Sequence, residues 1–323
     1  MAGGSVVVVA HNSSGCVEAC LRALCAESGW EILLIDNASS DSTRELAAIF
    51  AGRVRVIANR ENRGFAAAVN QGVQLASGAV IAVLNPDVVP EPGALDRLAN
   101  LLADPETAAA GGMLLDAEGR PQRGFMVRRF PTVSSSLCEL LLVNRLWPSN
   151  FWNSRYRCLQ LDYSRLQEVE QPAGAALAFR RDAWKRAGGL DESFYPLWFE
   201  DVDFCFRLRR LGFRILYCPE AVFHHGGAHS VSRLTFRDRQ AHWYANLLRY
   251  FRKHHGVMGV AILRIGIAAG MLCRSLGVLA VGVPGLGRGE ALRAYASVLW
   301  RFAIRGDSAA TLPPLPGSSH AGR

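Results

Sequence analysis

The chain has 323 residues, half of them hydrophobic and a fifth charged, enough to enclose one large core or two small ones. Its formal charge is +8, which suits phosphate-bearing ligands or an anionic surface. No zinc-finger spacing, RNP-like aromatic strand or basic helix accompanies that charge, so nucleic-acid binding is not expected.

The N-terminus begins MAGG and runs straight into an apolar strand, without a basic stretch or a cleavage site. A secretory signal is therefore not expected, and the catalytic part should face the cytoplasm. None of the eight cysteines forms a CxxC pair, which sets aside a zinc ribbon or a thioredoxin-type site and leaves them as reduced core residues.

Over the first 112 residues, strands and helices alternate. Ser5–Ala10 is β-branched and apolar, hence a buried strand, and Cys16–Ser28 reads as a helix. Trp30–Asp36 is a second buried strand, Ser42–Phe50 a helix, Val54–Ala58 a third strand and Phe65–Ser77 an Ala-rich helix. Ala79–Leu84 is a fourth strand, Pro90–Asp104 a helix with Pro early, where Pro is tolerated, and Ala108–Met113 a fifth strand. Continuous apolar strands separated by helices imply an α/β fold whose mainly parallel sheet is covered by helices on both faces.

Residues 114–170 are less regular. They carry Arg123, Arg128, Arg129 and an aromatic stretch around Trp147–Tyr156, and read as an insertion able to close over a ligand. Gly174–Phe179 is a strand, Arg181–Ala187 a short helix, Phe199–Leu211 a helix opening with acids, and Phe213–Cys218 a strand. Val257–Val283 is almost wholly apolar but interrupted by Arg264 and Arg274. Its length could span a bilayer, yet two arginines make a simple span costly. An interfacial helix or short hairpin fits better, with Arg249, Arg252, Lys253, Arg288 and Arg293 at lipid head groups. The expected organisation is a catalytic domain over 1–250, membrane-associated C-terminal apolar helices over 251–308, and a disordered tail over 309–323.

Sheets of this kind bind ligands beyond the carboxyl ends of their strands, and there the polar residues gather. His11 and Asn12 follow the first strand, Asp36 and Asn37 the second, Arg60 and Asn62 the third, and Asn85, Pro86 and Asp87 the fourth. The first loop reads HNSSG rather than GxGxxG, against a dinucleotide-binding dehydrogenase. Asp36 can accept from a ribose hydroxyl or a pyrimidine N–H, while Asp41 or Ser42 caps the next helix. Gly64 lets the backbone approach a ligand or turn with positive φ, with Asn70 further along its helix. Asp87, aimed by Pro86, can hold a hard divalent cation. Glu200, Asp201 and Asp203 crowd three carboxylates into four positions at a helix start. The macrodipole favours acids there, but mutual repulsion calls for a cation or a proton partner, and a base so placed could take a proton from a sugar hydroxyl. His224 and His225 precede a glycine pair on what reads as a loop after a strand, where one imidazole could complete a metal site with Asp87.

Taken together, VVVVAHNSS (6–14), LLIDNASSD (33–41), ENRGFAAAVN (61–70), LNPD (84–87) and WFEDVDFCFRLRRLGFRILYCPEAVFHH (198–225) resemble the family-2 glycosyltransferases, rhamnosyltransferase-like branch, over roughly residues 5–226. The resemblance implies a GT-A fold with a Rossmann-like sheet. It implies that Asp36 reads the nucleotide, that Asp87 takes the last place of a DxD metal motif whose first Asp is here Asn85, that Asp201 is the general base and that His225 is a late metal ligand. The expected activity is inverting transfer of a sugar, with rhamnose from dTDP-rhamnose the first choice. The donor would be a dTDP- or UDP-sugar held with Mg²⁺ or Mn²⁺, and the acceptor a lipid-linked or polysaccharide chain of the cell envelope. The place would be the cytoplasmic face of the inner membrane. The competing reading is a non-catalytic nucleotide-sugar-binding or membrane scaffold protein of the same fold. A pyrophosphorylase would want a Gly-rich loop with a Lys or Arg near the first strand, which HNSSG lacks.

Overall fold

A computed structural model describes residues 3–226 and 234–305 of the chain. Gly227 and the expected disordered tail lie outside the described residues. Among the described residues there are eleven strands: β1 (Ser5–Ala10), β2 (Glu31–Asp36), β3 (Val54–Ala58), β4 (Val80–Leu84), β5 (Val88–Pro90), β6 (Thr107–Leu115), β7 (Val127–Arg128), β8 (Gln167–Glu168), β9 (Gln171–Pro172), β10 (Ala176–Arg180) and β11 (Arg214–His225). The main sheet runs β3-β2-β1-β4-β10-β6-β11-β5, with β8 beside β11, and β7 pairs with β9 in a separate ribbon.

The α/β class and the mainly parallel sheet are as expected. β3, β2, β1 and β4 are parallel neighbours, and β6 and β11 run the same way. β10 enters antiparallel between β4 and β6, and β5 lies antiparallel on β11. Every residue of β1 is buried, and so are Ile32–Asp36 of β2. A strand with no solvated face carries no alternation, which is why these segments read as continuous Val, Leu and Ile runs.

Two expected elements differ. The helix expected over Pro90–Asp104 is only Ala94–Leu101, because Val88–Pro90 pairs with β11 and the chain turns at Gly93 with φ 74° before the helix begins. The strand expected over Phe213–Cys218 continues to His225, so the His pair sits on a strand rather than on the loop assigned to it. Pro219 reads as a strand end in the sequence. Here it falls in a register irregularity between Cys218 and Val222, where the missing N–H costs no ladder bond.

A second core lies beside the sheet. The helices Phe236–His254, Gly256–Val281 and Arg288–Val298, with a closing π-helical turn Leu299–Arg305, pack around Tyr250, Phe251, Leu263, Ile267 and Phe302. Leu140, Phe194 and Phe199 belong to the same cluster, so these helices pack onto the catalytic segments. The boundary expected at residue 250 falls inside one continuous helix, Phe236–His254.

Candidate functional site

Loops at the carboxyl ends of β1, β2 and β3 are stitched together by small polar side chains. Asn12, at φ 52°, accepts at Oδ1 from the Ser40 N–H at 2.7 Å, and its own N–H donates to Ser39 Oγ at 2.8 Å. The His11 Nδ1–H donates to the Asn37 carbonyl at 2.9 Å. Asn37 in turn donates to Asn62 Oδ1 at 2.9 Å and accepts from the Arg63 N–H at 3.0 Å. These bonds hold the wall rigid, so His11, Asn12, Asn37 and Asn62 face a cavity of about 1020 Å³ from fixed positions.

On the opposite flank, the antiparallel pairing of β5 with β11 sets His225 opposite Val88, next to Asp87. His225 Nε2 lies 3.8 Å from Asp87 Oδ2, and both side chains are buried. Gln122 grips the histidine twice. Its Nε2 donates to the His225 carbonyl at 2.9 Å, and its Oε1 faces His225 Nδ1 at 2.8 Å. Turning the amide over would set two acceptors against each other at the carbonyl, so Oε1 must accept and Nδ1 must carry the proton. The Nε2 lone pair then points towards Asp87. Phe125 stacks on the ring at 5.2 Å. Burial pulls the His225 pKa below the ordinary value, with Asp87 pulling the other way, and so favours the neutral ligand form.

One carboxylate and one neutral imidazole, the imidazole oriented through its other nitrogen, form a donor set that fits Mg²⁺ or Mn²⁺. Among the described residues, no group of three or more His, Cys, Asp or Glu forms a metal cluster. The remaining coordination positions would belong to water and a ligand's oxygens.

The acidic helix Glu200–Arg210 enters the cavity through a strained turn. Trp198 and Phe199 both have positive φ, 77° and 74°, a conformation costing about 1–3 kcal/mol per residue and concentrated at functional sites. Asp201 Oδ2 accepts from the Gly174 N–H at 3.0 Å and from Gln171 Nε2 at 3.0 Å, and Oδ1 from the Val202 N–H at 2.8 Å. A Cβ at Gly174 would sit 2.9 Å from Asp201 Oδ2, so glycine is what allows this approach. Burial raises the Asp201 pKa, opposed by the Gly174 and Val202 N–H groups and by the charge of Arg128.

Glu200 is buried, and its Oε2 has no hydrogen-bond partner. Burial first, then the charge of Asp201, hold its pKa well above the usual carboxylate range. Two adjacent carboxyls thus differ in support: Asp201 accepts three hydrogen bonds that oppose the upward push of burial, while Glu200 Oε2 accepts none and is pushed further towards its neutral form.

The cavity gathers His11, Asn12, Asn37, Asn62, Asn85, Pro86, Asp87, Glu200, Asp201 and His225. Five expected site residues stand elsewhere. Asp203 points away, bonded to His254 at 2.7 Å, Lys253 at 2.8 Å and Arg207 at 2.7 Å. Burial pushes its pKa up, but those three partners outweigh burial and leave it lowered. Asn70 clamps the turn after Gly189, bonding the Leu190 backbone at 2.8 and 2.9 Å and Glu192 at 2.9 Å. Gly64, with φ 82°, makes room for Tyr195, whose ring lies 2.7 Å from where a Cβ would be. Arg60 is exposed and off the lining. Asp36 is fully buried behind the lining, 3.3 Å from the Ser39 N–H and 3.5 Å from Arg44 Nε.

Gln122, Gln171, Gly174 and Trp243 line the cavity without having stood out in the sequence, beside Trp198 from the motif at 198–225. Only Gly174, a glycine opening an apolar strand, carried a usable signal.

A family model for "Glycosyl transferase family 2" matches residues 5–187. The N-acetylglucosaminyl-diphospho-decaprenol L-rhamnosyltransferase of Mycobacterium tuberculosis is 29% identical over 269 residues, spanning 78% of this chain and 85% of that protein. The pre-mycofactocin glycosyltransferase of the same organism is 29% identical over 225 residues, 68% of this chain and 42% of that one. Among solved structures, the mannosyltransferase PcManGT from Pyrobaculum calidifontis, in complex with GDP-Man and Mn²⁺, superposes with a TM-score of 0.54 at 19% identity, over 95% of this chain and 78% of that one. S. aureus TarS 1-349, in complex with UDP-GlcNAc, gives 0.50 at 16% identity, over 92% and 90%.

Proposed function

The chain belongs to glycosyl transferase family 2 and has the GT-A fold, and from that premise we propose that it is an inverting, metal-dependent transferase moving rhamnose from dTDP-rhamnose to a lipid-linked acceptor of the cell envelope. The observation carrying this reading is a single cavity that brings together the hydrogen-bonded Asp201, the buried Glu200 and the Asp87–His225 pair. The relative's name supports the sugar and the lipid acceptor. The long apolar helix Gly256–Val281 supports work at a membrane, and the cytoplasmic face is part of the proposal.

In this reading the walls built by His11, Asn12, Asn37 and Asn62 seat the nucleotide, with the fully buried Asp36 backing them. Asp87 and His225 would hold Mg²⁺ or Mn²⁺, which when bound would supply charge neutralisation for the departing diphosphate. Asp201 Oδ1 or Oδ2 takes the proton of the acceptor hydroxyl as that oxygen forms its bond to the anomeric carbon. The bond from the anomeric carbon to the diphosphate oxygen breaks with its electron pair, and the nucleoside diphosphate leaves. One displacement inverts the anomeric configuration without a covalent enzyme intermediate. Glu200, whose buried Oε2 has no partner within the protein, orients the acceptor. The charge of Arg128 favours the ionised form of Asp201, against the burial that raises its pKa. Phe125 and Arg123, on the insertion, narrow the opening and limit the water that would hydrolyse the donor.

A panel of UDP-, GDP- and dTDP-sugars, tested by calorimetry with Mg²⁺ or Mn²⁺, checks the reading. Metal-dependent binding of dTDP-rhamnose alone is expected. Preference for another sugar nucleotide would replace the donor. A folded protein that binds none would move the assignment to the non-catalytic scaffold.

A further inference from the structure

The helix Gly256–Val281 is 26 residues long, about 39 Å at 1.5 Å per residue. One face is spent on the protein. Val260, Leu263, Ile267 and Met271 are buried, Gly266 packs against Leu137 and Leu140, and Arg274 caps the carbonyls of Leu140 and Glu139. The opposite face recurs at three-, four- and seven-residue steps through Met258, Ile262, Ile265, Leu272, Leu276 and Leu279, all exposed, with Ile265 at 72% and Leu276 at 67%. No charged residue lies on that stripe. The outer face of a helix in water carries charge, and an apolar patch of this extent marks a binding surface.

A second apolar group adjoins it. Leu140, whose carbonyl Arg274 caps, leads directly into a segment exposing Leu146, Trp147, Phe151 and Trp152, with Leu146 at 85% and Phe151 at 64%. Tryptophans with one apolar and one wet side favour a bilayer interface. The same segment continues into Tyr156 and Arg157, which line the cavity.

Charge selects the partner. Residues 236–305 hold eleven Lys and Arg against two Asp and Glu, an excess of nine, while the whole chain carries +8. The chain's entire positive excess therefore belongs to the helices that bear the stripe. Of the cations expected at head groups, Arg249 and Lys253 are instead tied to Ser193, Asp191 and Asp203. Arg252, Arg288 and Arg293 stay exposed.

We infer that this stripe and the Leu146–Trp152 segment form one docking face that lies in the plane of an anionic lipid surface, with the helix neither crossing the bilayer nor pairing with a second copy. A crossing helix would have to abandon its packing on Leu137, Leu140 and Phe251. The inference rests on the transferase reading only for what the face delivers, a lipid-linked acceptor to the wall at Tyr156 and Arg157.

The test is flotation of the full chain with vesicles of phosphatidylethanolamine and phosphatidylglycerol, beside Leu272→Glu/Leu276→Glu and Trp147→Ala/Phe151→Ala, with donor binding and melting temperature measured in parallel. The native chain should float and be released by alkaline carbonate. The glutamate pair should lose vesicle affinity by on the order of a hundredfold, and the aromatic pair by roughly tenfold, with donor binding unchanged in both. A native chain that ignores the vesicles, variants that float equally, or binding that resists carbonate would each overturn the inference. A dimer in lipid-free buffer that the same glutamates dissociate would assign the face to a second copy. Loss of donor binding in the native chain would sink the transferase reading and leave the lipid result standing.

Discussion

Gln122→Leu tests whether His225 is held as a ligand. The substitution keeps bulk beside the ring but removes both hydrogen bonds, the 2.8 Å bond to Nδ1 and the 2.9 Å bond to the His225 carbonyl. At about 0.5–1.5 kcal/mol net per bond, the loss is about 1–3 kcal/mol, or roughly 5–150-fold in affinity. Removing the hydrogen-bond partner of a metal-bound histidine costs about 10–100-fold, so the two routes agree. The Phe125 stack survives and keeps the ring near its place, which favours the lower half of that range. Mn²⁺ affinity, titrated with a saturating nucleoside diphosphate, is the measurement, with a thermal melt as the folding control. Gln122→Glu can still accept from Nδ1 but cannot donate to the carbonyl, and should fall between the native chain and the leucine variant. A leucine variant that binds Mn²⁺ as tightly as the native chain would refute the argument that Gln122 fixes the tautomer.

Asp201→Asn should lower transfer by about 10²–10⁴-fold while leaving donor binding nearly intact, and an equal loss of donor binding would make Asp201 a ligand or a structural group. Because burial raises the Asp201 pKa, its base form should be lost, as pH falls, at a higher pH than for an ordinary aspartate, and the acid limb of kcat/KM should shift upward to match. Glu200→Gln mimics the protonated acid, so it should retain most of the activity; a loss as deep as that of Asp201→Asn would mean that Glu200 works ionised. Asp203→Asn leaves Arg207, Lys253 and His254 short of their anion and should cost about 3–5 kcal/mol of stability, read as a lowered Tm with donor affinity unchanged. The folded Asp203 pKa lies below its ordinary value. Its contribution is thus present above the unfolded pKa and lost as pH falls through the folded one, so the Tm gap between native chain and variant should close in strong acid.

The centre of the sheet was legible because β1, β2 and β4 are buried on both faces, leaving the apolar runs typical of a covered parallel sheet. The cavity's left and right walls were legible too, since Asn12, Asn37, Asn85 and Asp87 sit where strands end. What escaped was direction. Asp201 and Asp203 are two residues apart on a helix, about 200° around its axis, so one faces the cavity and the other the helix Phe236–His254. Spacing alone made them look like one cluster. Asn70 was misplaced for a related reason, since it serves a contact with Leu190 more than a hundred residues away in sequence; Gly64 takes the positive φ expected of it, but to make room for the equally distant Tyr195 rather than for a ligand. Gln122 gave no signal because its role depends entirely on β11 continuing through Pro219 to bring His225 beside it.

The ties from Asp203 to Lys253 and His254 bear on how such a protein can be taken apart. The base and the buried anchor share one helical turn, and the anchor's partners belong to the bundle that bears the apolar face. Trp243, from that bundle, also walls the cavity. The C-terminal helices are therefore poor candidates for a detachable module: grafting this catalytic half onto a different anchor would remove a wall and unseat the base. Chimeras that join the sheet of one such chain to the helices of another should stay active only when the Asp203 contacts are transplanted with them.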